Sequence, residues 1–167
     1  MDRLGPTDRR RNFLSCEKRG DLVGVGRKGK GTTALVLMDN DRTPLGVVIA
    51  PANNHETRHI ERLLDSSVVE LPAKTRLLYD GAADSDPLRD RLEARGVDLI
   101  CPHRKNRVKP RRQDGRKLRR KRHRWKIERT NAWLQDYGRI ANRKDRLATL
   151  FLGWVQLACL FTILKRF

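Results

Sequence analysis

A chain of 167 residues is long enough for one domain around a single apolar core. Its 38 Lys and Arg stand against 20 Asp and Glu, a formal charge of +18, so a polyanion is needed to offset self-repulsion and nucleic acid is the leading partner class. Cys16, Cys101 and Cys159 form no CxxC pair and no regular framework, which speaks against a zinc ribbon and a disulfide scaffold and fits a reducing cytoplasm.

The first residues, Met1 to Arg11, are rich in charge and lack the apolar run of a secretory signal, so export is not expected. Thr33–Met38 and Leu45–Ala50 carry residues suited to a buried pleated surface. The Asp39–Pro44 segment between them is turn chemistry and predicts an antiparallel hairpin. Asn54 is placed to cap a helix in which Ile60, Leu63 and Leu64 recur at helical spacing. A third strand, Thr75–Tyr79, ends on Asp80. Pro87 then opens a helix to about Arg95, with Gly96 placed to stop it, and Val97–Cys101 forms a short strand.

From Arg104 to Arg129 the chain carries 15 Lys or Arg against Asp114 and Glu128, which predicts a basic arm over 104–122 running into a helix from about Arg122 to Gln135. The alternative is a solvated charge run. Leu147–Leu164 follows without one charged residue and is about as long as a bilayer span. Gly153, Gln156, Thr162 and the α/β pattern ahead of it favour a buried core helix, so no membrane partner is expected. The order of elements predicts an α/β fold, a mixed sheet with helices on its faces, with one strand missing from the front.

Two acids stand out. Asp80 sits where a buried strand ends and a Gly-Ala-Ala turn begins, the place where α/β sheets put ligand groups; it could also merely cap that turn. Glu128 is an acid within a positive helix, one turn after Arg124, where an ordinary intrahelical ion pair is the simpler account. Trp125 and Trp133, at helical spacing, read as core rather than as stacking surfaces for bases. His55-Glu56-Thr57-Arg58-His59 matches the HExxH pattern of zinc proteases, but it falls at a helix start and no third ligand follows.

Taken in order, four segments resemble the DDE transposases of bacterial insertion sequences: the glycine block Gly26–Thr32, Ala52–Thr57, Tyr79–Ser85 and Ile127–Leu134. The resemblance spans roughly Arg19 to Phe167 and implies a ribonuclease-H-like mixed sheet, with Asp80 as the second catalytic aspartate and Glu128 as the catalytic glutamate. It implies Mg²⁺ or Mn²⁺ held by these carboxylates, and cleavage and strand transfer at the ends of double-stranded DNA carrying terminal inverted repeats. It also implies a homo-oligomer on DNA and a nucleoid-associated place in a bacterial cytoplasm. Around the glutamate the family spaces a Tyr, an Arg and a Lys; here Arg124 matches, while Lys121 and Gln135 stand at the other two positions. Arg104, Lys105, Arg107, Lys109, Arg111, Arg112, Arg119, Arg120, Lys121, Arg122 and Arg124 are the expected phosphate contacts.

The family's first aspartate belongs on a first strand just ahead of the glycine block, in an Asp-Gly-x-x-Phe-x-x-Ala-Lys-Lys-like segment. Residues 1–18 are instead an aberrant segment: Thr7–Lys18 shows no strand periodicity, and neither Asp8 nor Asp21 has the required setting. The neighbouring reading frame can encode Asp-Gly and Ala-Lys between the codons of Arg9 and Lys18, so a frameshift is the expected origin. On this reading residues 19–167 are a partial catalytic domain, truncated, inactive alone, and left with two bare strand edges. The competing reading is a non-catalytic basic DNA-binding protein in which both acids are structural.

Overall fold

A computed structural model of the chain describes residues 3–4, 13–16, 19–113, 115–119 and 125–165. Its strands are β1 (Arg3–Leu4), β2 (Phe13–Ser15), β3 (Gly24–Gly26), β4 (Gly29–Met38), β5 (Pro44–Pro51), β6 (Thr75–Leu78) and β7 (Val97–Ile100). Its helices are α1 (Ile60–Asp65), α2 (Asp86–Ala94), α3 (Gly115–Leu118), α4 (Trp125–Gln135), α5 (Gly138–Ala141) and α6 (Ala148–Leu164).

The strands form two sheets. β4 pairs antiparallel with β5, with β3 and with β2, while β6 lies parallel between β1 and β7. The predicted hairpin is present as β4 and β5, with Thr33 opposite Ala50 and Val36 opposite Val47. Asp39 closes its turn by accepting the N–H groups of Asp41 and Thr43, each at 2.8 Å.

The period-2 alternation of β4 divides the interior. Leu35 and Leu37 face one side, where Val48, Ile60, Leu63, Leu77, Leu92 and Leu99 close a core under α1 and α2. Ala34 and Val36 face the other, where Ile49, Leu134, Ile140, Phe151 and Val155 close a second core under α4, α5 and α6. Both faces of the β4–β5 hairpin are therefore covered, the arrangement in which strands read as continuous apolar runs. Gly96 ends α2 at φ +72°, a left-handed turn that a side chain would strain, and so returns the chain into β7.

The N-terminal segment departs from expectation. Phe13–Ser15 is a strand, with Leu14 buried in the second core, and Arg3–Leu4 is a strand against Arg76 and Leu77. Three residues are too few for a periodicity to show, whereas an unpaired strand edge recruits any nearby backbone that can satisfy its N–H and C=O groups. Gly31 permits this: a Cβ there would lie 2.3 Å from the Leu14 carbonyl oxygen. Each of the two edges expected to be bare is thus partly covered, and no strand is shared by the two sheets among the described residues.

Two helices also differ in detail. Asn54 does not cap α1, which is preceded by a 3-10 turn over Glu56–His59; the Asn54 amide lies 3.5 Å from His59 Nε2 instead. α6 is not buried all round: Phe151, Val155 and Ala158 face the core while Leu150, Trp154 and Phe161 are exposed. No described helix is long and apolar enough to cross a membrane.

Candidate active site and basic surface

β6 and β7 run parallel, so their carboxyl ends open on the same edge of the sheet, where ligand groups are placed in α/β folds. Asp80 leaves β6 at this edge, half-buried, and begins the 3-10 turn Gly81–Ala83. Its Oδ1 accepts the Ala82 N–H at 2.8 Å. The turn-capping role leaves capacity in the same side chain, because one N–H occupies only part of what a carboxylate can accept.

Asp84, at the far end of that turn, is the more deeply set acid, with its side chain 1 % exposed. Oδ1 receives Arg89 Nη2 at 3.2 Å, Arg107 Nη1 at 3.2 Å and lies 3.0 Å from His103 Nδ1, while Oδ2 accepts the Arg104 N–H at 2.9 Å. Burial pushes this carboxyl up, but the hydrogen bonds from the Arg104 N–H, His103 and Arg89, with the charge of Arg107, outweigh it and hold Asp84 below the ordinary aspartate range. Arg89 also donates to the carbonyls of Leu99 and Cys101 and to Cys101 Sγ, tying α2 to the end of β7. Burial pushes the Cys101 thiol up to about 12, which leaves it inert as a nucleophile.

These contacts place the start of the basic arm. Arg104 donates to the carbonyls of Gly81 at 3.3 Å and Ala82 at 2.8 Å, so its guanidinium lies on the turn that follows Asp80. Arg107 is taken up by acids: Nη2 sits 2.8 and 3.1 Å from the two oxygens of Asp86, and Nη1 reaches Asp84. Arg112 likewise pairs with Asp90 and Glu93. Lys105, Lys109, Arg111 and Arg119 are exposed and enter no ion pair among the described residues. A cleft of about 440 Å³ opens beside the turn, lined by Thr57, Ala82, Asp84, Ser85, Arg104 and Lys109 among others.

Arg120, Lys121, Arg122 and Arg124 lie outside the described residues, as does the side chain of Glu128. The Glu128 backbone belongs to α4, and two and three residues on, Thr130 and Asn131 are buried at 0 % and 3 % exposure. Trp133 is half-buried rather than core, with the guanidinium carbons of Arg129 and Arg42 at 5.3 and 5.8 Å from its ring centre. The HExxH-like segment forms the 3-10 turn, and Glu56 is buried within it, accepting the Tyr79 hydroxyl at 3.1 Å.

Sequence reasoning singled out Asp80 but passed over Asp84, Arg89 and His103. The available signal was the acid pair Asp84-Ser85-Asp86 standing between a strand end and a long basic run. Acids so placed engage some of the cations that follow, Arg89, Arg104 through its N–H, and Arg107.

A mixed α/β frame with a strand-end carboxylate beside a cationic arm describes a protein directed at nucleic acid. The family model described as "Transposase DDE domain" matches residues 22–163, and the chain belongs to that family, whose business is DNA transposition. The chain is 26% identical, over 166 residues, to the Burkholderia cepacia protein named "Putative transposase for insertion sequence element IS402"; the match covers 90% of this chain and 73% of that one. No solved structure matches it.

Proposed function

We propose that residues 19–167 form part of a ribonuclease-H-like catalytic domain for divalent-metal-dependent cleavage and strand transfer at the ends of an insertion sequence. The supporting observation is the position of Asp80, at the carboxyl end of a parallel strand with one oxygen engaged by the Ala82 N–H and the Arg104 guanidinium laid on the adjoining turn. A carboxylate in that setting is the hard donor that Mg²⁺ or Mn²⁺ prefers. Glu128 on α4 is the second proposed ligand.

The donor set is short. Among the described residues no group of three His, Cys, Asp or Glu could hold a metal ion. When bound, divalent ions supply activation of a water or 3′-hydroxyl and stabilisation of the leaving oxygen. Residues of the chain do the rest: Arg104 holds the turn that aims Asp80, and Lys105, Lys109, Arg111 and Arg119, with Arg120, Lys121, Arg122 and Arg124, neutralise phosphates of the terminal-repeat and target DNA. Phe13–Ser15 lies along β4 and brings no aspartate to the site, so the 167-residue chain is proposed to be inactive alone.

The Asp80 cap gives the competing reading its own support, since a structural aspartate would make the same bond in a basic DNA-binding protein without catalysis. Plasmid nicking separates the two. The chain as it stands is expected to bind DNA and not to nick it with Mg²⁺ or Mn²⁺. A version with an Asp-Gly-bearing first strand restored is expected to cut and join, and Asp80→Ala or Glu128→Ala in it to abolish both while sparing DNA binding. A restored version that binds DNA without cutting it would favour the binding-protein reading, and retained strand transfer in either variant would remove that acid from the catalytic set. Nicking by the unmodified chain would end the claim that it is inactive.

A further inference from the structure

Helix α6 is largely apolar and carries no charge, yet the fold uses only one of its faces. Phe151, Val155, Ala158, Cys159 and Thr162 are buried, most of them against the β4–β5 hairpin and α4. On the other side Leu147, Leu150, Trp154, Leu157, Phe161 and Leu164 remain 38–57 % exposed. Their spacing alternates between three and four residues from end to end, the 3.5-residue period of a helix-on-helix seam. Leucine fills one column at 150, 157 and 164, and Leu147, Trp154 and Phe161 fill the other.

The seam is prepared for contact. The Arg139 guanidinium lies 4.9 Å from the centre of the Trp154 ring, and Phe161 stacks on Tyr137 at 6.3 Å, so the two aromatic groups have less rotamer freedom to lose on association. Gly153 borders the seam, and a Cβ there would meet nothing within 4 Å, which leaves room for a side chain from a facing helix. With Leu160 included, the exposed part of the stripe amounts to on the order of 600 Å² of apolar surface, at the upper end of what a soluble monomer shows and close to the roughly 800 Å² per partner of a standard interface.

We propose that α6 is the surface on which two copies of this chain pair, their helices packing along this seam about a two-fold axis. A second copy fits because a heptad stripe is self-complementary under two-fold symmetry, its six positions carry no charge, and the Arg139 cation beside Trp154 already has its acid in Asp145 at 3.0 Å. The charge of +18 on each chain opposes the association at low ionic strength, so pairing strengthens with salt or with bound DNA. The proposal rests on α6 alone and is independent of any role for Asp80 and Glu128.

Sedimentation of the full 167-residue chain over a concentration series at high salt tests it. The expected result is a dimer of 19.4 kDa chains. Joint Leu150→Glu and Leu157→Glu changes, both on exposed positions, are expected to raise the dimer Kd about 100-fold or more, because each would bury an unpaired charge. Far-UV circular dichroism of that variant should be unchanged, and Thr149→Glu, exposed but off the seam, should still pair. A wild-type chain that stays monomeric throughout the series overturns the proposal, as does a double variant that still dimerises. So does a monomer that co-sediments with vesicles of phosphatidylcholine and phosphatidylglycerol, which would assign the stripe to a lipid surface.

Discussion

The Arg104 main-chain N–H donates to Asp84 Oδ2 at 2.9 Å, which hooks the first residue of the basic arm onto the carboxylate that closes the turn after Asp80. The candidate catalytic acid and the cationic surface are therefore coupled through a third residue. Asp84 serves α2 through Arg89, the end of β7 through His103, and the arm through Arg104 and Arg107.

Removal of that residue should be costly. Asp84→Ala leaves the buried Arg89 guanidinium without its acid and frees the Arg104 N–H, and the loss of one partner of a buried pair costs about 3 kcal/mol or more. Urea unfolding followed by circular dichroism is the check; a loss of only a few tenths of a kcal/mol would mean that Asp84 does not organise the edge.

The same carboxylate sets an acid limit. Its folded pKa lies below the ordinary value of 3.8, so its contribution to stability is complete above that value and is lost as the pH falls through the lower folded value. Asp86, held down chiefly by its hydrogen bonds from Arg107, adds to the same slope. Unfolding free energy measured from neutral pH downward is expected to decline gently below about pH 6.5, where burial and the charges of Arg62 and Arg58 keep His59 from protonating as readily as in the unfolded chain, and to drop more steeply below about pH 4. Asp84→Asn should show a shallower drop in that window, and an equal slope in both proteins would remove Asp84 as its source.

The arm contains two kinds of arginine. Arg111 is exposed and pairs with no acid among the described residues, whereas Arg107 is held by Asp84 and Asp86. Arg111→Ala is expected to reduce the slope of log affinity for duplex DNA against log salt by about 0.9, the share of one phosphate contact. Arg107→Ala is expected to lower stability and leave that slope nearly unchanged. Filter binding across a salt series distinguishes the two, and equal slope changes would show that the acid pairing does not withhold Arg107 from DNA.

Arg143 is buried at 1 % exposure. It donates to Thr32 Oγ1 at 2.7 Å and to the carbonyls of Asp145 and Arg146 at 2.9 and 3.0 Å, and its guanidinium lies 4.9 Å from the Phe151 ring centre. Arg143→Met keeps volume but strands these acceptors, which is expected to cost about 3 kcal/mol. A melting temperature within a degree or two of the parent would show that water replaces the guanidinium.

The order of the elements followed from local chemistry alone. Alternating and continuous apolar runs placed β4, β5, β6 and β7, Asp39 and Gly96 marked turns that the backbone indeed makes, and Asp80 fell at the end of a parallel strand. These features depend on near neighbours in the chain, so the sequence displays them directly. Long-range pairing decided the rest. Leu14 joins the core because β4 offers it an edge, Asp84 gathers cations from positions 89 to 107, and Arg143 reaches back 111 residues to Thr32. On α6 the apolar residues were evident in sequence, but which of them the sheet would bury, and that Leu150, Trp154 and Phe161 would face outward, was settled only by how the helix lies on the hairpin.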